Sequence, residues 1–169
     1  MSAELNGIIK IYGGKIEGKR DFHYLLCTDT WLGENTARLV KNFLERNGLT
    51  VEIRREKELQ TKEFDGFQTA LSNLAAWCAE TVKGYREANY HIIFNLTGGF
   101  KSVQGFLQTL ALFYADEAVY IFEQSENLLR IPRLPIKIDA EDFVRNNLKT
   151  IRRLSLELSL KDDDLTKLP

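Results

Sequence analysis

The sequence contains few cysteines and histidines, and this scarcity argues against a disulfide-stabilised protein and against a metal-binding protein. Among its 169 residues, the only cysteines are Cys27 and Cys78, and the only histidines are His23 and His91. The cysteines fall in segments that read as a buried strand and a buried helix face, which fits a reducing cytoplasm better than a disulfide scaffold. The histidines are isolated, and neither cysteine has a near partner at metal-ligand spacing. We therefore expect a cytoplasmic protein with no metal and no cofactor.

The sequence also lacks a charge excess and long apolar runs. A formal net charge of -1 gives no overall field that attracts nucleic acid or an anionic membrane. No apolar run approaches the roughly 18 to 20 residues of a membrane helix, and the N-terminus has no signal-peptide pattern. The length suffices for one domain with a real core. If such a protein binds a polyanion, it must do so at a local positive site.

Strand-like and helix-like segments alternate along the chain. The predicted strands are "FHYLLCT", "LTVEIRR", "YHIIFNL" and "EAVYIFE", and a proline-rich exit, "RIPRLPIKI", follows the last of them. Helical spacing marks residues 2–12, "TARLVKNFLERNG", "KEFDGFQTALSNLAAWCAETVKGYREAN", the stretch after "NLTGGFKS" and "DAEDFVRNNLKTIRRLSLELS". This alternation predicts an α/β fold, a Rossmann-like and mostly parallel sheet with helices on both faces, followed by a C-terminal helix.

Ligands of such sheets bind beyond the carboxyl ends of the strands, where the turn "NLTGGFKS" is expected to lie. Its glycines allow backbone N–H groups to approach a ligand, and the next helix points its positive end at the same space. The candidate ligand-binding residues here are Asn95, Thr97, Gly98, Gly99, Phe100, Lys101 and Ser102. The alternative is a tight turn with a solvated lysine. Because the spacing matches neither a P-loop nor the GxGxxG fingerprint, the residues alone leave both open.

A second turn, "TDTWLGEN", follows an earlier strand and offers another wall for the same pocket. Its candidate residues are Thr28, Asp29, Thr30, Trp31 and Asn35, with Trp31 available to stack on a base. The alternative is that Asp29 or Thr30 only caps the next helix.

Glu123 follows a further strand and is a weaker candidate for the pocket. No serine, histidine and aspartate grouping suggests a catalytic set. On residues alone, the sequence predicts a single-domain α/β protein with a candidate anion site.

Three stretches carry a resemblance to a known family. They are "NLTGGFKS" with the helix after it, "YIFEQSENLLRIPRLPI" and "CTDTWLGENTARLVKNFLERNG". Together they resemble a CRISPR-associated Rossmann fold (CARF) domain, close to the family of CRISPR-associated proteins that includes archaeal ring nucleases. The resemblance covers about residues 20 to 138, and "NLTGGFK" is its most specific part.

The resemblance implies a homodimer whose two-fold-related pockets jointly bind a cyclic oligoadenylate, most often the four-membered ring. In type III CRISPR antiviral defence this ring is a second messenger, made after foreign RNA is detected. Its phosphates need backbone donors and a lysine, while its adenines and 2′-hydroxyls need stacking and polar groups. A loop from each subunit meets the charge locally, which suits a nearly neutral protein.

One departure from the family concerns the N-terminus. Family members usually begin with a strand and a Gly-Thr-Ser type loop, which in ring nucleases carries a catalytic serine. This chain opens with "MSAELNGIIKIYGG", which resembles the helix after that loop. Lys101 matches the family's lysine, while the serine has no counterpart. We expect residues 1–138 to form the CARF ligand-binding domain, with the family's first strand either absent or replaced, and residues 139–169 a C-terminal helix and tail.

Three functions compete on these grounds. The first is a sensor that binds the ring and controls an effector module, with that module or a membrane anchor lying outside this sequence. The second is a metal-independent ring nuclease in which a ribose 2′-hydroxyl attacks its neighbouring phosphate, with Lys101 as the catalytic candidate. The third is an RNA- or DNA-binding domain, which the near-zero net charge disfavours because such domains usually carry a basic face. We expect the sensor, and no direct binding of long nucleic acid.

Overall fold

The computed structural model describes residues 2–16, 21–59, 63–99, 101–121, 127–135 and 144–155. The chain groups into two compact units, Met1–Leu134 and Pro135–Pro169. No described helix is both long and apolar enough to cross a membrane. The first unit contains every described candidate residue.

Helices and strands alternate in the first unit, as the sequence predicts. In chain order they are α1 (Ala3–Ile11), β1 (Phe22–Thr28), α2 (Trp31–Arg46), β2 (Thr50–Glu56), α3 (Phe64–Trp77), a π-helical turn (Cys78–Val82), α4 (Lys83–Glu87), β3 (Ile93–Asn95), α5 (Lys101–Tyr114), β4 (Glu117–Ile121) and β5 (Leu128–Pro132). In the second unit, α6 spans Leu148–Ser155.

The strands form two small sheets. β1 and β2 are parallel, with Phe22 opposite Thr50 and Thr28 opposite Glu56. β3 and β4 are also parallel, and β5 runs antiparallel to β4. Among the described residues no ladder of hydrogen bonds joins β1 to β3. A mixed α/β fold with parallel strand pairs is therefore present, while one continuous Rossmann-like sheet stays a prediction.

Helices pack on both faces of the β1–β2 pair. Because neighbouring strand residues point to opposite faces, adjacent residues of β1 contact different helices. Leu25 packs with a cluster from α1, α2 and β2 that includes Ile8 and Leu44. Leu26, the next residue, packs against a different cluster, built from α3, the π-helical turn and α5, that includes Leu74. Leu44 and Leu74 are almost completely buried, so burial of each side chain contributes about 1.5–3 kcal/mol to the free energy of unfolding.

Three segments differ from their sequence prediction. α2 begins at Trp31 rather than at Thr36, because the Thr30 side chain accepts a hydrogen bond from Gly33 N and caps the helix there. The proline-rich exit begins inside strand β5, which tolerates Pro132 at its end because it lies at the sheet edge. β3 is only three residues long and part-buried, whereas a longer strand buried on both faces was predicted.

Both cysteines are free and buried, as predicted from the pattern around them. Burial raises the pKa of the Cys78 thiol to about 11 and also raises the pKa of Cys27. Both side chains are therefore protonated at neutral pH and behave as small apolar residues.

A tyrosine, an aspartate and a histidine join the end of α1 to the start of β1. The Tyr12 hydroxyl lies 2.9 Å from Asp21 Oδ2 and 2.9 Å from His23 Nε2. Because the hydroxyl donates its proton to the carboxylate, it accepts from a neutral His23 that carries its proton on Nε2. Burial lowers the pKa of His23, and the charge of Asp21 opposes that shift.

This network predicts an acid-side loss of stability. Since the folded state disfavours the charged ring, the unfolded chain binds a proton below about pH 6.5 that the folded protein does not. The free energy of unfolding should fall as the pH drops from about 6.5 through the folded-state pKa. Urea denaturation of His23→Gln, across about pH 7.5 to 5, should show a shallower fall.

His91→Gln is the control for this prediction, because His91 is mostly exposed and the variant keeps the part-buried ring of His23. It should keep the acid-side loss of the parent protein. Equal slopes for the parent and His23→Gln would show that His23 has no part in it.

Candidate ligand-binding site

The turn after β3 has the backbone geometry that its two glycines predict. Gly98 has φ +99° and Gly99 has φ +90°, a region that other residues rarely adopt. α5 begins two residues later, at Lys101, so the positive end of a 14-residue helix lies next to the turn. This arrangement is that of a backbone site for an anion.

Two polar side chains hold this turn in place. The hydroxyl of Thr97, which is 6% exposed, accepts a hydrogen bond of 3.2 Å from Ile121 N at the end of β4. The side-chain amide of Gln104, on α5, donates to Gly98 O at 2.7 Å and to Leu96 O at 3.1 Å. The turn is therefore tied to both the neighbouring strand and the following helix.

The first helix packs directly on this turn. Asn95 donates from Nδ2 to Glu4 O at 3.0 Å, and its Oδ1 accepts from Thr97 N at 3.2 Å. A Cβ at Gly7 would lie 2.5 Å from Asn95 Oδ1, so only glycine leaves room for this amide against the helix. Asn95 thus positions the turn. Its second N–H and the second lone pair of its oxygen can make other contacts.

α1 also decides from which side a ligand can approach. A Cβ at Gly98 would collide with the Glu4 carboxylate and lie 3.3 Å from Ala3 Cβ, so this side of the turn is filled. At Gly99 a Cβ would meet nothing within 4 Å among the described residues. Because Glu4 would also repel an anion, the open approach is over Gly99.

The second predicted turn, after β1, is organised around two threonines. Thr28 Oγ1 and Thr30 Oγ1 lie 2.8 Å apart, and Thr30 caps α2. A Cβ at Gly33 would lie closer than 3.0 Å to the Thr28 hydroxyl, so this glycine lets the helix begin directly against the strand end. Capping of the helix by Thr30, the alternative raised from the sequence, is therefore a structural fact.

Trp31 is the most accessible of the predicted residues in this second turn. Its side chain is 79% exposed on the first turn of α2, and Leu32 and Leu39 of the same helix are 69% and 71% exposed. Asn35 instead turns back on the helix and donates its amide to Trp31 O at 2.7 Å. The indole is thus available for stacking, while the Asn35 amide already has a partner.

The end of β2 carries a buried carboxylate that was not among the predicted residues. Glu56 is 5% exposed; it accepts from Arg54 Nη2 at 2.8 Å and from Asn73 Nδ2 at 3.2 Å. Arg54 in turn lies over the Trp77 ring, 4.9 Å from its centroid. Both oxygens of Glu56 have donors, so this group is a neutralised structural ion pair.

Several predicted residues fall outside what is described. Phe100 and Glu123 lie outside the described residues, as do the side chains of Lys101 and Ser102. Asp29 is engaged in an interaction of its own. Both turns lie at carboxyl ends of parallel strands, but their union in one pocket stays a prediction.

Sequence reasoning missed three residues that shape the first turn, namely Glu4, Gly7 and Gln104. Only Gly7 left a signal, since a glycine inside a helical pattern needs a packing reason.

Comparison with known proteins identifies a family for this chain. A family model described as "CRISPR-associated protein (Cas_APE2256)" matches residues 1–134 of the 169-residue chain. No curated protein matches the chain. The matched range includes both turns and every candidate residue named above.

The contact between Gly7 and Asn95 predicts that a change from glycine to alanine has opposite effects on stability at Gly7 and at Gly105. Gly7→Ala should lower the free energy of unfolding by about 1–3 kcal/mol, because the new methyl displaces the Asn95 amide. Gly105→Ala, on the open side of α5, should raise it by about 0.5–1 kcal/mol through helix propensity. Urea denaturation followed by circular dichroism measures both, and stabilisation by Gly7→Ala would contradict the packing described here.

Proposed function

The chain belongs to the family described as CRISPR-associated protein (Cas_APE2256), and we propose that it is a CARF-type sensor of a cyclic oligoadenylate. The four-membered ring is the proposed ligand. The sensor would act in type III CRISPR antiviral signalling and control an effector. The proposed fold is one Rossmann-like sheet in which the two turns meet.

The turn at Thr97–Gly99 is the observation that carries this proposal. It combines two glycines at positive φ, an open approach over Gly99 and the N-terminus of α5. Backbone N–H groups in such a place bind phosphate without needing an overall positive protein. Lys101, the first residue of α5, adds a cation that a phosphodiester can use.

The exposed indole of Trp31 supports a nucleotide rather than a bare phosphate. Exposing a large aromatic ring to water is unfavourable, so such a ring often marks a binding surface. Exposed aromatic rings are common where nucleotide bases stack. An indole that is 79% exposed at the carboxyl end of β1 is suited to an adenine whose phosphates lie at the glycine turn. Base stacking of this kind is worth about 1–3 kcal/mol per base.

A cyclic ligand with repeated units also supports a symmetric assembly. Two copies of the chain related by a two-fold axis would each present one glycine turn to opposite phosphates of the ring. The net charge of -1 per chain is then no obstacle, because the local donors meet the phosphates. We therefore propose a homodimer that binds one ring.

Calorimetry with cyclic tri-, tetra- and hexa-adenylate tests the proposal. We expect one of these rings, the tetramer first, to bind with a stoichiometry of one ring per two chains. Lys101→Ala should weaken binding by about 1–3 kcal/mol, the cost of losing a charge-assisted hydrogen bond.

Lys83→Ala is the matched control, because Lys83 is exposed on α4 and pairs only weakly with Glu87 at 3.8 Å. It should leave the affinity unchanged. Absence of binding to all three rings would refute the sensor, and equal effects of the two variants would remove Lys101 from the site.

A metal-independent ring nuclease is the second candidate, favoured by the position of Lys101 at the start of α5. In this reaction the ribose 2′-hydroxyl attacks its neighbouring phosphate, the bond to the 5′-oxygen breaks, and that oxygen takes up a proton. Excess ring incubated with the protein in chelator separates the two functions by chromatography. A sensor leaves the ring intact, whereas a nuclease produces linear oligoadenylates.

A further inference from the structure

A cavity lies at the opposite end of β3 and β4 from the turn at Thr97–Gly99. It measures about 300 Å³ and is lined by Arg86, Asn89, Tyr90, His91, Asp116 and Arg133. The lining comes from the end of α4, the approach to β3, the start of β4 and the residue after β5. Its volume is at the lower end of the range of about 300–1,000 Å³ for small-molecule sites.

The acceptors in this cavity already have donors. Asp116 Oδ1 lies 3.2 Å from Arg86 Nη2, and Asp116 Oδ2 accepts from Ile92 N at 2.8 Å. Arg86 Nη2 also donates to Tyr114 O at 2.7 Å, at the end of α5. The Arg86–Asp116 pair is therefore a neutral structural link between α4, α5 and β4.

The donors, by contrast, are in excess. Within the described parts of the chain, the guanidinium of Arg133 and the side-chain amide of Asn89 have no partner, and both residues are exposed. The buried Nε of Arg86 also lacks a hydrogen-bond partner there. With Asp116 neutralised by Arg86, Arg133 leaves one positive charge in the cavity wall uncompensated. Such an inventory suits a ligand that accepts hydrogen bonds and carries negative charge.

We propose that this cavity binds a small oxyanion-bearing molecule, with a phosphate or carboxylate group held by Arg133 and Asn89. A guanidinium matches either group with two parallel hydrogen bonds. The ring of Tyr90, which is 48% exposed, forms a wall beside them for the rest of the molecule. Asn89 has φ +64°, so its amide is placed at a tight reversal of the chain immediately before that wall.

This site is separate from the one proposed for the cyclic oligoadenylate. The cavity is at the amino ends of β3 and β4, whereas the glycine turn is at the carboxyl end of β3. The two proposals therefore stand or fall independently. A variant at Arg133 should leave cyclic oligoadenylate binding unchanged.

Titration of the full chain with inorganic phosphate and, separately, with succinate tests the proposal by NMR of the amide groups. We expect at least one anion to shift the Asn89 side-chain amide and the Tyr90 backbone amide with a dissociation constant below about 1 mM. Arg133→Gln should weaken this binding about ten- to hundredfold, the loss expected for a charge-assisted contact. The anion that binds shows whether the source is a phosphate or a carboxylate.

Arg46→Gln is the matched control, since it removes the same charge from an exposed position at the end of α2. It should leave the affinity of the anion unchanged. Equal weakening by the two variants would show diffuse charge attraction and overturn the site. So would shifts that avoid residues 86–91, or no saturable binding of either anion.

Discussion

The amide of Asn95 is the contact on which the rest of the candidate site depends. It joins the last residue of β3 to the backbone of α1 at Glu4 and to the backbone of its own turn at Thr97. Both of its polar ends are used within a part-buried junction, where a lost partner costs more than a hydrogen bond contributes. Position 7, in the interior of α1, requires glycine because a Cβ there would collide with this amide, even though glycine is unfavourable within a helix.

Local pairing, rather than net charge, determines where an anion can bind. Two carboxylates at the strand ends have partners: the buried Glu56 is held by Arg54 and Asn73, and the part-buried Asp116 by Arg86 and Ile92 N. With Asp116 neutralised by Arg86, Arg133 leaves a positive charge in its cavity wall, and the turn at Thr97–Gly99 stays open over Gly99, on the side away from Glu4. A nearly neutral chain can thus contain two regions suited to anions.

Much of the fold was predictable from local signals. The start of α1 can be read from Ser2, a residue type that favours helix caps, whose hydroxyl accepts from Leu5 N. The helical pattern of α2 starts late, at Thr36, because Trp31 and Leu32 resemble loop residues, although Thr30 is also a plausible cap. β5 was missed because proline argues against a strand unless the strand lies at an edge, and edge position is a property of the assembled sheet.

The sequence by itself determined the alternation of helices and strands, the glycine turn before α5 and the burial of both cysteines. These follow from side-chain periodicity and from the freedom of glycine at positive φ, which are properties of a few neighbouring residues. Only the tertiary structure decided that α1 closes one side of that turn through Glu4 and Gly7. It also placed Arg133 and Asn89, residues far apart in the chain, in the lining of one cavity. Such contacts join distant segments, and no local pattern encodes them.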